Sequence, residues 1–147
     1  MRPATAADAA LLAGWHADPE VSRYWDDETF TVEEMRERLA RADVDAWIVE
    51  AGGEPVGYLQ SWREGRAGGL DGFLIPEARG KGLMPDAART LATALDRPEL
   101  TVDPYTWNDR AIRAWEKAGF VEVSRHPPDH EHTADWILMR FAATLGA

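Results

Sequence analysis

The sequence predicts an α/β fold: one mixed β-sheet with helices on its faces, in a single domain covering residues 1–147. Three observations carry this. Apolar spacing is helical in the first third and alternates in the middle. A strand-helix-strand step from residue 70 to residue 103 requires a parallel pair with a right-handed crossover, whereas the two strands before it meet across Gly52-Gly53 as an antiparallel hairpin. Finally, 147 residues without a cysteine are enough to bury a real core without disulfides, and no repeat or linker divides them.

The elements follow in order. Thr5 caps a first helix with Asp8 in its first turn, which puts Leu11, Leu12 and Trp15 on one face. Thr31-Val32-Glu33-Glu34 has capping-box spacing, with Phe30 and Met35 placed as a hydrophobic staple and Val32, Met35, Leu39 and Ala42 as the buried stripe. Strands are predicted at 46–50, 56–62 and 70–75, the last ended by Pro76, with Glu64 to Gly69 read as the loop before it. A helix from about Met84 to Leu95, a strand over Leu100 to Asp103 and a helix from about Asn108 to Ala118 come next; Gly119 is the C′ residue of that helix. Strands at Phe120 to Ser124 and Asp135 to Phe141 close the chain around a loop rich in His and Pro. The order is therefore N-terminal helices, then β-β-β-α-β-α-β-β.

With 26 acidic against 16 basic side chains and a net charge of −10, the chain is a poor match for nucleic acid, whose phosphates need basic surface. Cationic partners suit it better. No stretch approaches the ~20 apolar residues of a membrane span, and the start, Met1-Arg2-Pro3-Ala4-Thr5, has no apolar run of signal-peptide length. A cytoplasmic protein is expected.

Arg79-Gly80-Lys81-Gly82-Leu83-Met84 lies between a strand end and a helix start, where backbone N–H groups and the helix dipole can hold a phosphate. Pro85 suits the first helical turn. The loop lacks the Gly-Lys-Ser/Thr ending of a nucleoside-triphosphate loop and the three-glycine dinucleotide fingerprint, so another phosphate carrier is implied. Arg79, Lys81, Arg89, Arg110, Arg113 and Lys117 gather basic charge in or near this segment and the next helix, as a polyanionic ligand on an acidic protein requires.

This loop, followed by Asn108-Asp109-Arg110-Ala111-Ile112-Arg113-Ala114-Trp115-Glu116-Lys117-Ala118-Gly119-Phe120, resembles the GNAT superfamily of acetyl-CoA-dependent N-acetyltransferases. Within it Gly53 to Ser61, Gly69 to Leu74, and Thr101-Val102-Asp103-Pro104 leading into Asn108 to Ile112 resemble the aminoglycoside 6′-N-acetyltransferases. The resemblance implies that Arg79, Gly80, Lys81, Gly82, Leu83 and Met84 wrap the diphosphate of acetyl-CoA, that Phe73, Leu74 and Ile75 pair with its pantetheine arm, and that Asn108, Arg110 and Trp115 contact it from the last long helix. It also implies a bulged backbone near Phe73 whose amide holds the oxyanion of a tetrahedral intermediate. Two positions depart from the family. Met84 stands where Gly or Ala is usual and would crowd the diphosphate; Trp115 stands where many members have a tyrosine proposed to protonate the thiolate, and an indole N–H is no acid. Either CoA leaves as thiolate or Tyr105 or a water supplies the proton.

For the acceptor, carboxylates beside aromatic rings suit a polyamine sugar. Trp25, Asp27, Glu28, Trp62, Asp71, Asp103, Tyr105 and Asp135 are the expected substrate contacts. By the resemblance Asp71 sits on the catalytic strand and takes the amine proton, directly or through water. Asp103-Pro104 is equally a strand-end turn. His126, His130 and His132 with Asp129, Glu131 and Asp135 could be weighed as metal ligands, but the flanking Pro127-Pro128 argues for an exposed loop, and no metal is expected.

The expected function is acetyl transfer from acetyl-CoA to a primary amine of a cationic small molecule, an aminoglycoside 6′-amine, by direct attack, since without cysteine there is no cysteine-linked acetyl-enzyme. The rivals are acylation of a siderophore precursor or a protein N-terminus, and a non-catalytic acetyl-CoA-binding module. Monomer and homodimer are both compatible with the sequence.

Overall fold

The computed structural model describes residues 1–25, 28–65 and 67–142. Seven strands form one sheet in the order β1-β2-β3-β4-β5-β7-β6, numbered β1 (Arg2–Pro3), β2 (Val44–Ala51), β3 (Glu54–Glu64), β4 (Ala67–Leu74), β5 (Glu99–Val102), β6 (Phe120–His126) and β7 (Trp136–Phe141). Every neighbouring pair is antiparallel except β4 and β5. The predicted mixed sheet is thus present, with its one parallel pair across the helical crossover.

The helices are α1 (Ala9–His16), α2 (Pro19–Ser22), α3 (Val32–Leu39), α4 (Leu83–Leu95) and α5 (Asp109–Ala118). The capping residues act as their chemistry dictates. Thr31 Oγ1 accepts from Glu34 N at 3.1 Å while Glu34 Oε1 accepts from Thr31 N at 3.0 Å, so two orphan donors are satisfied at the start of α3. Asp8 Oδ2 accepts from Thr5 N at 2.8 Å, and Ala6–Asp8 forms a 3₁₀ turn leading into α1. Gly119 closes α5 in the left-handed region at φ 110°.

Three features differ from the sequence expectation. β1 and α2 were unforeseen: two residues of strand are too few to show alternation, and four of helix too few to show a stripe. Ala67, Gly68 and Gly69, read as the end of a loop, are strand instead, pairing with β3 on one side and β5 on the other. Glycine is required there by close approach. A Cβ on Gly69 would stand 2.4 Å from the Trp62 ring, and one on Gly68 would stand 2.6 Å from the Trp62 carbonyl. Third, the β3–β4 register runs unshifted from Gly57↔Leu74 to Glu64↔Ala67, so this ladder has no bulge at Phe73.

Alternation along β4 divides the core. Leu70 and Leu74 join Leu91, Leu100, Val102, Trp115 and Phe120 under α4 and α5, while Phe73 joins Leu12, Met35, Ile48 and Tyr58 under α1–α3. Each such fully buried side chain contributes about 1.5–3 kcal/mol. The same alternation puts Asp71 on the α1–α3 face.

The parallel pair is short. β4 and β5 are matched only from Ala67–Gly69 to Glu99–Thr101, after which β4 continues to Leu74 while the other chain stays with β7. Pro104 O accepts from Ile137 N at 2.9 Å, and Tyr105 bridges Trp136. That allegiance to β7 draws residues 103–105 off β4 and splays the sheet.

Candidate active site

The splay opens into a cleft of about 410 Å³ between α4 and α5. The end of the cleft at residues 79–84 is built by backbone geometry. Gly80 and Gly82 have φ of 78° and 76°, and no atom lies within 4 Å of where a Cβ would stand on either. Glycine is therefore demanded by dihedral angle, not by room. The turn delivers the chain to the start of α4, where Leu83 and Met84 have N–H groups without an intrahelical acceptor and Pro85 has none to offer.

Ten of the twelve residues expected around the cofactor line this cleft: Phe73, Leu74, Arg79, Gly80, Gly82, Leu83, Met84, Asn108, Arg110 and Trp115. Lys81 and Ile75 do not. Ile75 donates its N–H to Val56 O at 2.9 Å, toward β3. Because successive amides of a strand alternate, Phe73 also turns to β3, and the amides facing the cleft are those of Gly72 and Leu74. The Phe73 amide, expected as the oxyanion donor, therefore faces β3.

Arg110, Arg113 and Lys117 of α5 bring positive charge to the cleft. Arg79 is used differently from its neighbours. Its Nε donates to Leu74 O at 3.3 Å and its Nη2 to Glu20 O at 2.6 Å, tying the loop to α2. Burial, and then the charge of Arg110, hold its pKa below the usual value. Both guanidiniums pack on one ring, Arg79 at 5.1 Å and Arg110 at 5.7 Å from the Tyr24 centroid. Two cations on one aromatic ring at a cleft mouth favour an anion between them. Tyr24 lines the cleft and escaped sequence reasoning, since nothing near it in sequence announces the contact.

Met84 Cε lies 3.3 Å from where a Cβ of Gly72 would stand, so its side chain reaches β4 and narrows the cleft there. Asn108 caps α5, its Oδ1 accepting from Ala111 N at 3.2 Å, which leaves the Nδ2 donors as what it can offer a ligand. Trp115 is 8% exposed and meets Phe120 edge-on at 5.5 Å; it is both core and cleft wall.

Across the sheet, on the α1–α3 face, Asp71 is held from β3. Gln60 Nε2 donates to Asp71 Oδ2 at 3.2 Å, and Tyr58 Oη donates to Gln60 Oε1 at 2.9 Å. Burial pushes the Tyr58 phenol up to about 12, so it remains a donor at any physiological pH. Around this chain Trp25 packs 5.8 Å from Phe73 and 6.1 Å from Tyr58, and Trp62 lies over Gly69 two cross-strand pairs along from Gln60–Asp71. Asp103 occupies the same face at the end of β5, with its Oδ2 2.7 Å from His132 Nε2. Tyr105 Oη accepts from Thr133 N at 3.2 Å and its ring stacks on Trp107 at 5.7 Å. Trp107 in turn meets Tyr24 at 5.7 Å, a row of rings running from the cleft toward His132 and Asp103.

The remaining expected contacts are more scattered. Glu28 is exposed, and Asp27 lies outside the described residues. Asp135 is exposed and borders a separate opening that also holds Arg125, whose charge opposes a cationic ligand. Among the described residues, no three His, Asp or Glu side chains are grouped to hold a metal ion. Nor, among them, is any helix long and apolar enough to cross a membrane. Tyr58 and Gln60 were not named as site residues from the sequence, because their link to Asp71 runs through the β3–β4 register.

Residues 1–121 match the family described as acetyltransferase (GNAT) domain. The aminoglycoside N(6′)-acetyltransferases type 1 of Klebsiella pneumoniae and Serratia marcescens are each 34% identical to this chain over 145 aligned positions, covering 82% of it and 72% of the relative. The crystal structure of the aminoglycoside acetyltransferase AAC(6′)-Ib in complex with coenzyme A and kanamycin superposes with a TM-score of 0.80 at 26% identity, over 97% of this chain and 94% of that one. Spermidine N-acetyltransferase from Vibrio cholerae, in complex with CoA and spermine, reaches 0.81 at 17% identity, over 95% and 92% of the two chains, a likeness of fold. A family match running from β1 into β6, with relatives a third identical, places this chain in the GNAT family as an N-acetyltransferase.

Proposed function

We propose that the protein transfers the acetyl group of acetyl-CoA to a primary amine of a cationic small molecule, the 6′-amine of an aminoglycoside. The observation that carries this reading is the division of the site across the splay between β4 and β5: a cationic cleft on the α4–α5 face, and the Asp71 and Asp103 carboxylates on the opposite face. A polyanionic donor and a polycationic acceptor would approach from opposite sides and meet where the strands part. The aminoglycoside relatives support the acceptor class.

In this reading the loop amides from Gly80 to Met84 and the side chains of Arg110, Arg113 and Lys117 hold the donor's phosphates. Acetyl-CoA supplies an activated thioester. The Gly72 and Leu74 amides face the cleft to take up charge developing on the carbonyl oxygen. Asp71, oriented by Gln60, accepts the proton of the attacking amine directly or through a water. Trp115 contributes no proton; a thiolate of ordinary pKa, about 8.5, can leave unaided.

The test is CoA release with acetyl-CoA and two matched aminoglycosides, one with a 6′-amine and one with a 6′-hydroxyl, followed by mass analysis. Gain of a single acetyl by the 6′-amine compound alone is expected. Turnover of neither overturns the acceptor assignment.

A further inference from the structure

The β6–β7 loop carries an imidazole that is 7% exposed and held at both nitrogens by carboxylates. His132 Nδ1 is 2.8 Å from Asp129 Oδ1, and His132 Nε2 is 2.7 Å from Asp103 Oδ2. A neutral imidazole has one N–H and could satisfy only one of these acceptors. Two ionised carboxylates, one at each nitrogen, require both N–H groups and therefore the imidazolium. The frame around it is rigid. Its ring stacks on Trp136 at 4.1 Å with planes 10° apart, and Trp136 Nε1 donates to Asp129 Oδ2 at 3.2 Å. Asp129 Oδ1 also accepts from Glu131 N and His132 N, both at 2.9 Å, closing the loop on itself.

We propose that His132 is a positioning residue of the acceptor site: its imidazolium, anchored by Asp129, fixes the Asp103 carboxylate beside the splay, where that carboxylate receives an ammonium group of the acceptor. This role rests on the function proposed above. Asp103 follows the last residue of a strand whose continuation leaves β4, so its backbone on that side lacks the ladder that would otherwise set its direction. His132 replaces that missing constraint with a charge-assisted hydrogen bond. It also shields one carboxylate oxygen, which limits how strongly Asp103 holds the charged form of an amine and so moderates the conflict between binding an ammonium and deprotonating a neighbouring one.

The groups facing His132 are Asp129 from its own loop, Asp103 from the end of β5, the Tyr105 ring at 5.9 Å and the Trp136 ring at 4.1 Å, on which His126 of β6 also stacks at 4.4 Å. Burial works to lower the His132 pKa, but the hydrogen bonds and charges of Asp129 and Asp103 outweigh it and the pKa is raised. The bridge is therefore complete below that raised value and loses one of its two bonds above it.

Two measurements test this. In the ¹⁵N-labelled protein alone near pH 6.5, His132 is expected to carry protons on both ring nitrogens; a single protonated nitrogen overturns the bridge. In steady-state kinetics with an aminoglycoside bearing a 6′-amine, His132→Gln is expected to raise the acceptor KM about tenfold near pH 6, with the acetyl-CoA KM unchanged. The ratio of variant to wild-type KM should fall as pH rises through the His132 titration, a trend that a merely structural loss would not produce. Asp129→Asn, which keeps the loop's backbone acceptor, should move the acceptor KM the same way by less, and it serves if His132→Gln does not fold. An acceptor KM unchanged in a folded His132→Gln protein that turns over overturns the role alone. Wild-type protein that acetylates no cationic amine overturns the proposed function and this role together.

Discussion

Gln60 Nε2 donates to Asp71 Oδ2 at 3.2 Å across a cross-strand pair of β3 and β4. The amide is 3% exposed and its oxygen is taken by Tyr58, so its donor can only point at the carboxylate. This bond holds one Asp71 oxygen against β3.

Asp71→Asn should lower kcat by about 10²-fold or more, the range for loss of a general base, while the acetyl-CoA KM stays near wild type. Gln60→Leu should reproduce part of the kcat loss and also destabilise the fold by roughly 1–3 kcal/mol, since the Tyr58 hydroxyl would lose its buried acceptor. Equal kcat in wild type and Asp71→Asn would remove Asp71 from the chemistry.

Reaction needs a neutral amine, and carboxylates near the acceptor favour the ammonium form. We expect kcat/KM for the acceptor to rise above neutral pH. A flat profile between about pH 6 and 9 would contradict amine deprotonation as the controlling step.

Gly80→Ala and Gly82→Ala add a Cβ that meets nothing within 4 Å, yet force φ near 78° and 76° on an L residue. Each should cost about 1–2 kcal/mol locally. The loop would relax and turn its amides aside. The expected signature is weaker acetyl-CoA binding by calorimetry, with aminoglycoside affinity unaffected.

His16 is buried among Trp25, Phe30 and Phe73, with ring centroids 5.4, 4.8 and 5.0 Å away. Burial, reinforced by the charge of Arg38, lowers its pKa from 6.5 to about 4. The unfolded chain therefore takes up a proton below pH 6.5 that the folded protein refuses until about pH 4. Stability from this group is complete above 6.5 and declines through that window by on the order of 3 kcal/mol. Thermal unfolding from pH 7.5 to 4 should show the decline, and His16→Met should flatten it.

Local signals in the chain settled what depends on neighbours in sequence. The capping box at Thr31, the crossover between residues 70 and 103, the Gly80–Gly82 turn and the Gly119 stop each depend on backbone dihedrals or apolar spacing within a few residues, and each is present. Asp71 was named through the resemblance and Asp103 through its place at a predicted strand end. The tertiary structure alone decided how those groups are held and which face they serve. Gln60 reaches Asp71 only through the β3–β4 register, Tyr24 meets Arg79 and Arg110 only because α2 packs over the phosphate loop, and His132 meets Asp103 across 29 residues of chain because β5 follows β7 away from β4. Side-chain partners separated in sequence are set by strand register and layer packing, and a one-residue slip in either would have turned each of them to the other face.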